Sequence, residues 1–128
     1  MTPEAAGHLD KAREYLTKAR ALLDVLHYPD EAGRAAYLAG YHAAQGLIFE
    51  RTGKEPKTHR GVHSQFNRLA KDDPRFDIEL RRFLAQTYDL KAVADYEVGP
   101  SSAVPLDRAE AAIATATRLV ECIAELLA

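Results

Sequence analysis

The side chains of this sequence that move protons most readily near neutral pH are its 5 histidines, and two of them form a pair. His59 and His63 are four residues apart, a spacing that places two imidazoles on one face of a helix, where they can clamp a metal ion. No acidic residue lies between them, and the next ones along the chain are Asp72 and Asp73. We therefore expect neither a metal site nor a cofactor.

A third histidine, His42, lies in the middle of an apolar stretch, residues 35–49. Two interpretations stay open for it. It is either a neutral histidine hydrogen-bonded to a neighbouring helix, because buried polar groups normally find partners, or a site histidine at the centre of the fold near Asp95 and Tyr96. Tyr37 and Tyr41, four residues apart, share a helix face and more often serve packing than base stacking.

A basic segment follows, in which six cationic side chains between residues 51 and 71 outnumber a single acid, Glu55. The cations are Arg51, Lys54, Lys57, Arg60, Arg68 and Lys71. The start of a helix offers free N–H groups and a partial positive charge, which favour anions. We therefore predict a phosphate-binding site at residues Lys57, Thr58, His59 and Arg60. A complementary partner surface and an ordinary solvated face are the alternatives.

The elements that must position these residues are all helices, since apolar residues recur at steps of three and four and no alternating strand pattern is present. We predict one domain over residues 1–128, an antiparallel up-down bundle of about five helices. Thr2 and Thr58 are expected to cap helices, Gly53 to end one, and residues 99–102 to form a break. The predicted helices run from Pro3 to about His27, from about residue 30 to 51, from Thr58 to about Lys71, from about Phe76 to Tyr96, and from Pro105 onward.

Two details of packing follow from the same pattern. Gly40 and Gly46 each cost the second helix about 1 kcal/mol of helix propensity relative to alanine, so we expect another helix to approach closely there. In the last helix, the unbroken spacing of apolar residues from Leu106 to Leu127 predicts a seam that packs on the first helix.

Composition excludes several classes of protein. The net charge of −2 lacks the basic excess of most proteins dedicated to duplex nucleic acid, so any such binding must be local. The N-terminus has no signal-peptide pattern, and no apolar stretch is long enough to span a membrane. Cys122 is the single cysteine, and we interpret it as a helix-packing thiol. We expect a cytoplasmic protein.

Three stretches carry a resemblance to a known family. Residues 37–44 read Tyr-Leu-Ala-Gly-Tyr-His-Ala-Ala, residues 57–61 read Lys-Thr-His-Arg-Gly, and residues 90–96 read Leu-Lys-Ala-Val-Ala-Asp-Tyr. They are similar to the Tyr-Tyr-Ala-x-Phe-His-Ala-Ala, Lys-Thr-His-x-Gly and Leu-Arg-x-x-Ala-Asp-Tyr motifs of the stand-alone bacterial subgroup of the HEPN family, the higher-eukaryote and prokaryote nucleotide-binding domains. The order and spacing of the motifs agree with the family from about residue 37 to 96.

The resemblance implies a helical bundle that dimerises, often beside a small nucleotidyltransferase as a toxin and antitoxin pair. Many HEPN relatives are metal-independent ribonucleases that use an Arg-x(4 to 6)-His motif. Here Lys91 and Tyr96 replace that arginine and histidine. Lysine lacks the bidentate fork of arginine, and the ordinary tyrosine pKa, near 10, makes a poor general base. Lys91, Asp95, Tyr96 and His42 are the catalytic candidates that remain.

One formal match to the motif lies elsewhere, Arg20 with His27, but roughly one match is expected by chance in a chain of this composition. The leading hypothesis is therefore a HEPN-family homodimer that binds a nucleotidyltransferase-like partner, a nucleotide or RNA. An active endoribonuclease toxin and a purely structural interaction bundle are the alternatives.

Overall fold

The computed structural model describes residues 1–96 and 103–128, which contain five helices and confirm the predicted all-α bundle. The helices are α1 (Pro3–Asp24), α2 (Pro29–Thr52), α3 (His59–Ala70), α4 (Ile78–Tyr96) and α5 (Leu106–Leu127). The predicted break at residues 99–102 lies outside the described residues. No helix in the described ranges is both long enough and apolar enough to cross a membrane.

Three residues start or stop helices as predicted: Thr2, Thr58 and Gly53. The Thr2 hydroxyl accepts a hydrogen bond from the Ala5 N–H at 3.1 Å, and the Thr58 hydroxyl accepts one from the Gly61 N–H at 2.9 Å. Each satisfies a backbone donor that has no partner within its helix. Gly53 ends α2 in the left-handed conformation, with φ of 69°, which glycine adopts without steric cost.

The end of α1 is earlier than predicted, because the helix stops at Asp24 and not near His27. His27 adopts a left-handed φ of 59°, and the Tyr28 N–H then donates to the Leu22 carbonyl at 2.8 Å. Pro29 disfavours the α region for the residue before it. The chain therefore leaves α1 before the proline, through a turn that the apolar spacing alone does not reveal.

Helix α4 begins two residues later than predicted, at Ile78 rather than near Phe76. The Asp77 carboxylate accepts a hydrogen bond from the Leu80 N–H at 3.0 Å and so caps the helix. Phe76 is buried ahead of the helix, where its ring packs edge-to-face on Phe66 with the ring centres 5.5 Å apart. Residues 76 and 77 therefore belong to the connection that ties α3 to α4.

Helix α2 is the centre of the bundle and packs on all four other helices. The apolar seam of α5 packs on α1 as predicted, but its larger contact is with α2. The predicted close approach at the glycines is confirmed, since a Cβ at Gly40 would overlap the Phe83 ring and one at Gly46 would lie 3.3 Å from the Ala5 carbonyl oxygen. The small residues of α2 thus allow the neighbouring helices to pack closely against it.

A Gly40→Ala substitution is expected to destabilise the fold by up to about 2 kcal/mol. Overpacking a core typically costs 1–3 kcal/mol, which exceeds the gain of about 1 kcal/mol in helix propensity, and the Phe83 ring is too buried to move aside. The control is Gly7→Ala on α1, where a Cβ would meet nothing within 4 Å. Urea denaturation should show a loss for the first variant and a small gain for the second; a gain for both would contradict the packing described here.

Candidate functional site

The side chains of α2 and α3 meet at the hydroxyl of Tyr37. This oxygen lies 2.8 Å from Nδ1 of His59 and 2.7 Å from Nε2 of His63. The i, i+4 spacing puts both imidazoles on the face of α3 that looks toward α2. Since a phenol has one proton to donate, Tyr37 donates to one imidazole and accepts from the other when both rings are neutral. The tautomers of the two histidines are therefore linked through Tyr37.

Two further tyrosines complete an aromatic cluster around His59. The Tyr41 ring stacks on the His59 ring with the centres 4.3 Å apart, and Tyr88 of α4 stacks on it at 5.3 Å. Tyr88 also meets the edge of His63 at 5.3 Å. Tyr37 is fully buried, whereas Tyr88 is 45% exposed. We call these five residues the aromatic face, because Tyr88 and His59 carry it to the surface.

Burial sets the protonation of the aromatic face. It lowers the pKa of His59, with a further contribution from the charge of Lys91, and it lowers the pKa of His63, with a further contribution from His59. Burial also raises the pKa of the Tyr37 phenol, so that group stays protonated. At pH 7 both imidazoles are consequently mostly neutral, and in that state Tyr37 donates to one ring and accepts from the other.

A cationic network borders the aromatic face on the α4 side. The two oxygens of Asp95 accept from Arg34 Nε at 2.7 Å and from Lys91 Nζ at 2.8 Å. The hydrogen bond from Lys91 holds the pKa of Asp95 below its usual range, and the same bond raises the pKa of Lys91. Two cations share one carboxylate, so the network keeps a net charge of +1 beside the exposed edge of Tyr88 and His59.

The aromatic face and this network together offer two kinds of contact. A flat ring can stack on the open side of Tyr88, and an anion can reach the cations next to it. A neutral imidazole can also accept a proton from a bound hydroxyl. Within residues 1–96 and 103–128, no group of three or more His, Cys, Asp and Glu side chains is arranged to hold a metal ion.

Comparison with known proteins gives the fold a family. The family model of the HEPN domain matches residues 5–126 of this chain. The chain belongs to the HEPN family. It is also 30% identical to the UPF0332 protein glr0978 of Gloeobacter violaceus over 128 residues, which is 100% of this chain and 99% of that protein. HEPN membership places the chain among proteins with nucleotide- or RNA-related roles.

In this HEPN domain the three catalytic candidates at the end of α4 lie within one turn and a half of helix. Lys91 and Asp95 form an ion pair, and the Lys91 ammonium lies 5.5 Å from the centre of the Tyr96 ring. Tyr96 is 76% exposed. The lysine thus stands between the carboxylate and the exposed ring, next to the aromatic face of the HEPN bundle.

The fourth candidate, His42, lies on another side of α2. Its Nδ1 is 3.4 Å from Nδ1 of His8, and its ring stacks against Tyr15 with the centres 5.5 Å apart. Burial lowers the pKa of His42 to about 4, and electrostatic contributions from His8 and Lys11 add to that effect. The structure thus brings His42 to α1 rather than to Asp95 and Tyr96, and the interpretation of a neutral histidine facing a neighbouring helix fits this position.

The structure divides the predicted phosphate-binding residues of the HEPN chain. Thr58 caps α3, and His59 joins the aromatic face. Lys57 lines a cavity behind the loop that connects α2 to α3, whereas Arg60 is exposed on the first turn of α3. Lys57 and Arg60 still flank His59 at the N-terminus of the helix, so all four remain candidates.

The Arg20 and His27 pair forms no site of its own. Arg20 Nη1 donates to Glu110 of α5 at 2.7 Å, which ties α1 to α5. His27 is exposed in the turn after α1. The positions of these two residues fit the interpretation that their spacing arose by chance.

Sequence reasoning missed two residues of the site, Arg34 and Tyr88. Arg34 lies one turn before Tyr37 on α2, a spacing that already placed the two on neighbouring positions of one face. Tyr88 lies one turn before Lys91. Each lies one helical turn from a residue of the family motifs. The contact of Arg34 with Asp95 and that of Tyr88 with His59 nevertheless depend on how α2, α3 and α4 dock.

Proposed function

We propose that this HEPN domain binds single-stranded RNA, or a nucleotide, on the aromatic face. A base stacks on Tyr88. The adjoining phosphates contact Lys91 and the first turn of α3, where Lys57 and Arg60 flank His59. The proposal needs no overall basic charge, because the cations are concentrated around one surface.

The observation that carries the proposal is the exposed Tyr88 ring held in a stack on His59, beside a network of net positive charge. Proteins that bind single strands combine aromatic platforms with cationic grooves. The platform here is pre-organised, since His59 is itself fixed by Tyr37 and Tyr41.

Replacement of Tyr88 by alanine is expected to weaken RNA binding by about fivefold to about 150-fold, since loss of a base–aromatic stack costs about 1–3 kcal/mol. Tyr88→Phe is the matched control, because it keeps the ring and removes only the hydroxyl. Fluorescence anisotropy with a labelled single-stranded oligonucleotide measures both variants. Equal binding by the wild type and Tyr88→Ala would exclude this tyrosine from the site.

A second candidate function, metal-independent cleavage of RNA, is favoured by one observation, the partly exposed neutral imidazole of His59. As a general base it would take the proton of a ribose 2′-OH, the 2′ oxygen would bond to phosphorus, and the bond from phosphorus to the 5′ oxygen would break as that oxygen takes a proton from water. Active relatives use an arginine and a histidine. Here Lys91, whose ammonium pairs with Asp95, replaces the arginine, and Tyr96 replaces the histidine.

We therefore expect cleavage of single-stranded RNA in excess EDTA to be weak or undetectable, because general acid–base catalysis contributes typically 10²- to 10⁴-fold. The assay compares the wild type with His59→Ala, Lys91→Ala, Tyr96→Phe and His42→Ala. Robust cleavage that one of these substitutions abolishes, in a protein that stays folded, would establish the nuclease instead.

The assembly of the protein stays a prediction. Three large apolar side chains are exposed around the turn after α1: Val25, Leu26 and Tyr28 are 71%, 51% and 56% accessible. They support the expected homodimer, since exposed apolar surface favours association. A small nucleotidyltransferase partner, within a toxin and antitoxin pair, rests on the family resemblance alone.

A further inference from the structure

A cavity of about 470 Å³ lies on the other side of α3, between the end of α2, residues 53–57 and α3. This volume is within the usual range for small-molecule sites, about 300–1,000 Å³. Its apolar part is formed by Ile48 and Pro56, and three cations line it: Lys54, Lys57 and Arg68. The aromatic face uses none of Ile48, Pro56, Lys54 and Arg68.

The wall of the cavity is a loop whose shape is fixed from several directions. The Thr52 hydroxyl accepts from the Lys54 N–H at 3.1 Å, next to the left-handed Gly53. Pro56 lies so close to α3 that a Cβ at Gly61 would be 3.2 Å from its Cβ. The Glu55 carboxylate is hydrogen-bonded to Nε2 of His8 of α1 at 2.6 Å. A loop anchored in this way holds its lysines at the cavity before any ligand arrives.

The charges of this cavity have no explanation in the fold itself. Across residues 1–96 and 103–128, neither Lys54, Lys57 nor Arg68 forms an ion pair. The one acid that lines the cavity, Glu55, is engaged by His8. Like charges around one concavity repel, and an anion placed among them relieves that repulsion.

We propose that this cavity binds a small organic phosphate. Lys54, Lys57 and Arg68 hold the phosphate group, and the organic part rests on Ile48 and Pro56. The apolar floor selects an organic ester over free phosphate. The cavity shares Lys57 with the phosphate contacts proposed for RNA, but its other lining residues lie outside the aromatic face, and the proposal does not depend on the function proposed there.

Phenyl phosphate is the probe, compared with inorganic phosphate and phenol by calorimetry and by ¹H–¹⁵N NMR of the full chain. Phenyl phosphate is expected to bind more tightly than either of the others and to shift the amides of Gly53, Lys54 and Gly61. The Lys54→Gln, Arg68→Gln double variant should bind it about tenfold more weakly or worse, since each lost charge-assisted hydrogen bond is a strong one. The control is Arg13→Gln, Arg82→Gln, which removes the same charge from exposed positions elsewhere and should bind like the wild type.

Three results would overturn the proposal: no binding of phenyl phosphate, equal affinity for phenyl phosphate and inorganic phosphate, or an equal loss in the control variant. Tyr88→Ala separates this proposal from the proposed function. That variant should lose RNA binding and keep phenyl phosphate binding, whereas Lys54→Gln, Arg68→Gln loses phenyl phosphate binding. Failure of either site therefore leaves the other one measurable.

Discussion

Reversal of two charges, in a Lys57→Glu, Arg60→Glu double variant, should weaken RNA binding by about a hundredfold or more at low salt. Hydrogen bonds to charged groups contribute about 1.5–3 kcal/mol each, and about 1.4 kcal/mol corresponds to a factor of ten in affinity. Both side chains are exposed beside the first turn of α3, where the unpaired N–H groups already favour a phosphate. The variant removes the two cations that reinforce that site.

The salt dependence of binding tests whether the loss is electrostatic. For single strands, log K falls by about 0.7 for each phosphate contact per unit of log salt. The double variant should therefore show a slope that is shallower by roughly 1.4. Arg13→Glu, Arg82→Glu carries the same change in net charge at positions away from α3 and should keep the wild-type slope. An equal loss in both variants would mean that net charge, and not this site, governs binding.

Acidification from pH 6.5 to about 4 should destabilise the fold, and His42 should account for about 1–2 kcal/mol of the loss. An unfolded histidine takes up a proton near pH 6.5, whereas burial lowers the pKa of folded His42 to about 4. Between these values the unfolded state binds more protons than the folded state, so stability falls as pH falls. The value is reduced for the partial exposure of the ring to solvent.

His59 and His63 act in the same direction, since their pKa values are also lowered. The measurement is the free energy of unfolding in urea at pH 8 and at pH 4.5, for the wild type and His42→Gln. Glutamine keeps a polar side chain but takes up no proton, so this variant should lose less stability between the two pH values. An identical loss in both proteins would show that His42 titrates normally when folded.

Most of the helix boundaries could be predicted because local chemistry sets them. Threonine at positions 2 and 58, proline at 3 and glycine at 53 act within one turn of the chain, and the structure uses each as expected. The predicted end of α1 was wrong because His27, which is not a glycine, adopts the left-handed conformation. Helix α5 packs mostly on α2 because that choice depends on which helix offers the smallest side chains. The periodic pattern of α5 does not indicate which helix it packs against.

The site was predictable in parts. The i, i+4 pairs of tyrosines on α2 and histidines on α3 follow from spacing, but their meeting at the Tyr37 hydroxyl requires the two helices to dock in one register. The spacing of His59 and His63 is also compatible with a metal clamp, whereas the structure joins the imidazoles through the Tyr37 phenol. Asp95 could be predicted as a site residue because it belongs to a family motif. Its partner Arg34 lies 61 residues away along the chain, and that pairing could not be predicted from the sequence.

The most direct test of RNA binding at the aromatic face is a ¹H–¹⁵N NMR titration of the full chain with a short single-stranded RNA. Binding at the aromatic face predicts that shifted amides concentrate in the first turn of α3, around His59, and in α4 from Tyr88 to Lys91. The amides around His8 and Tyr15 serve as the internal reference, since they lie beside His42 on another side of α2. Shifts confined to α1, or none at RNA concentrations that saturate the anisotropy assay, would contradict the claim.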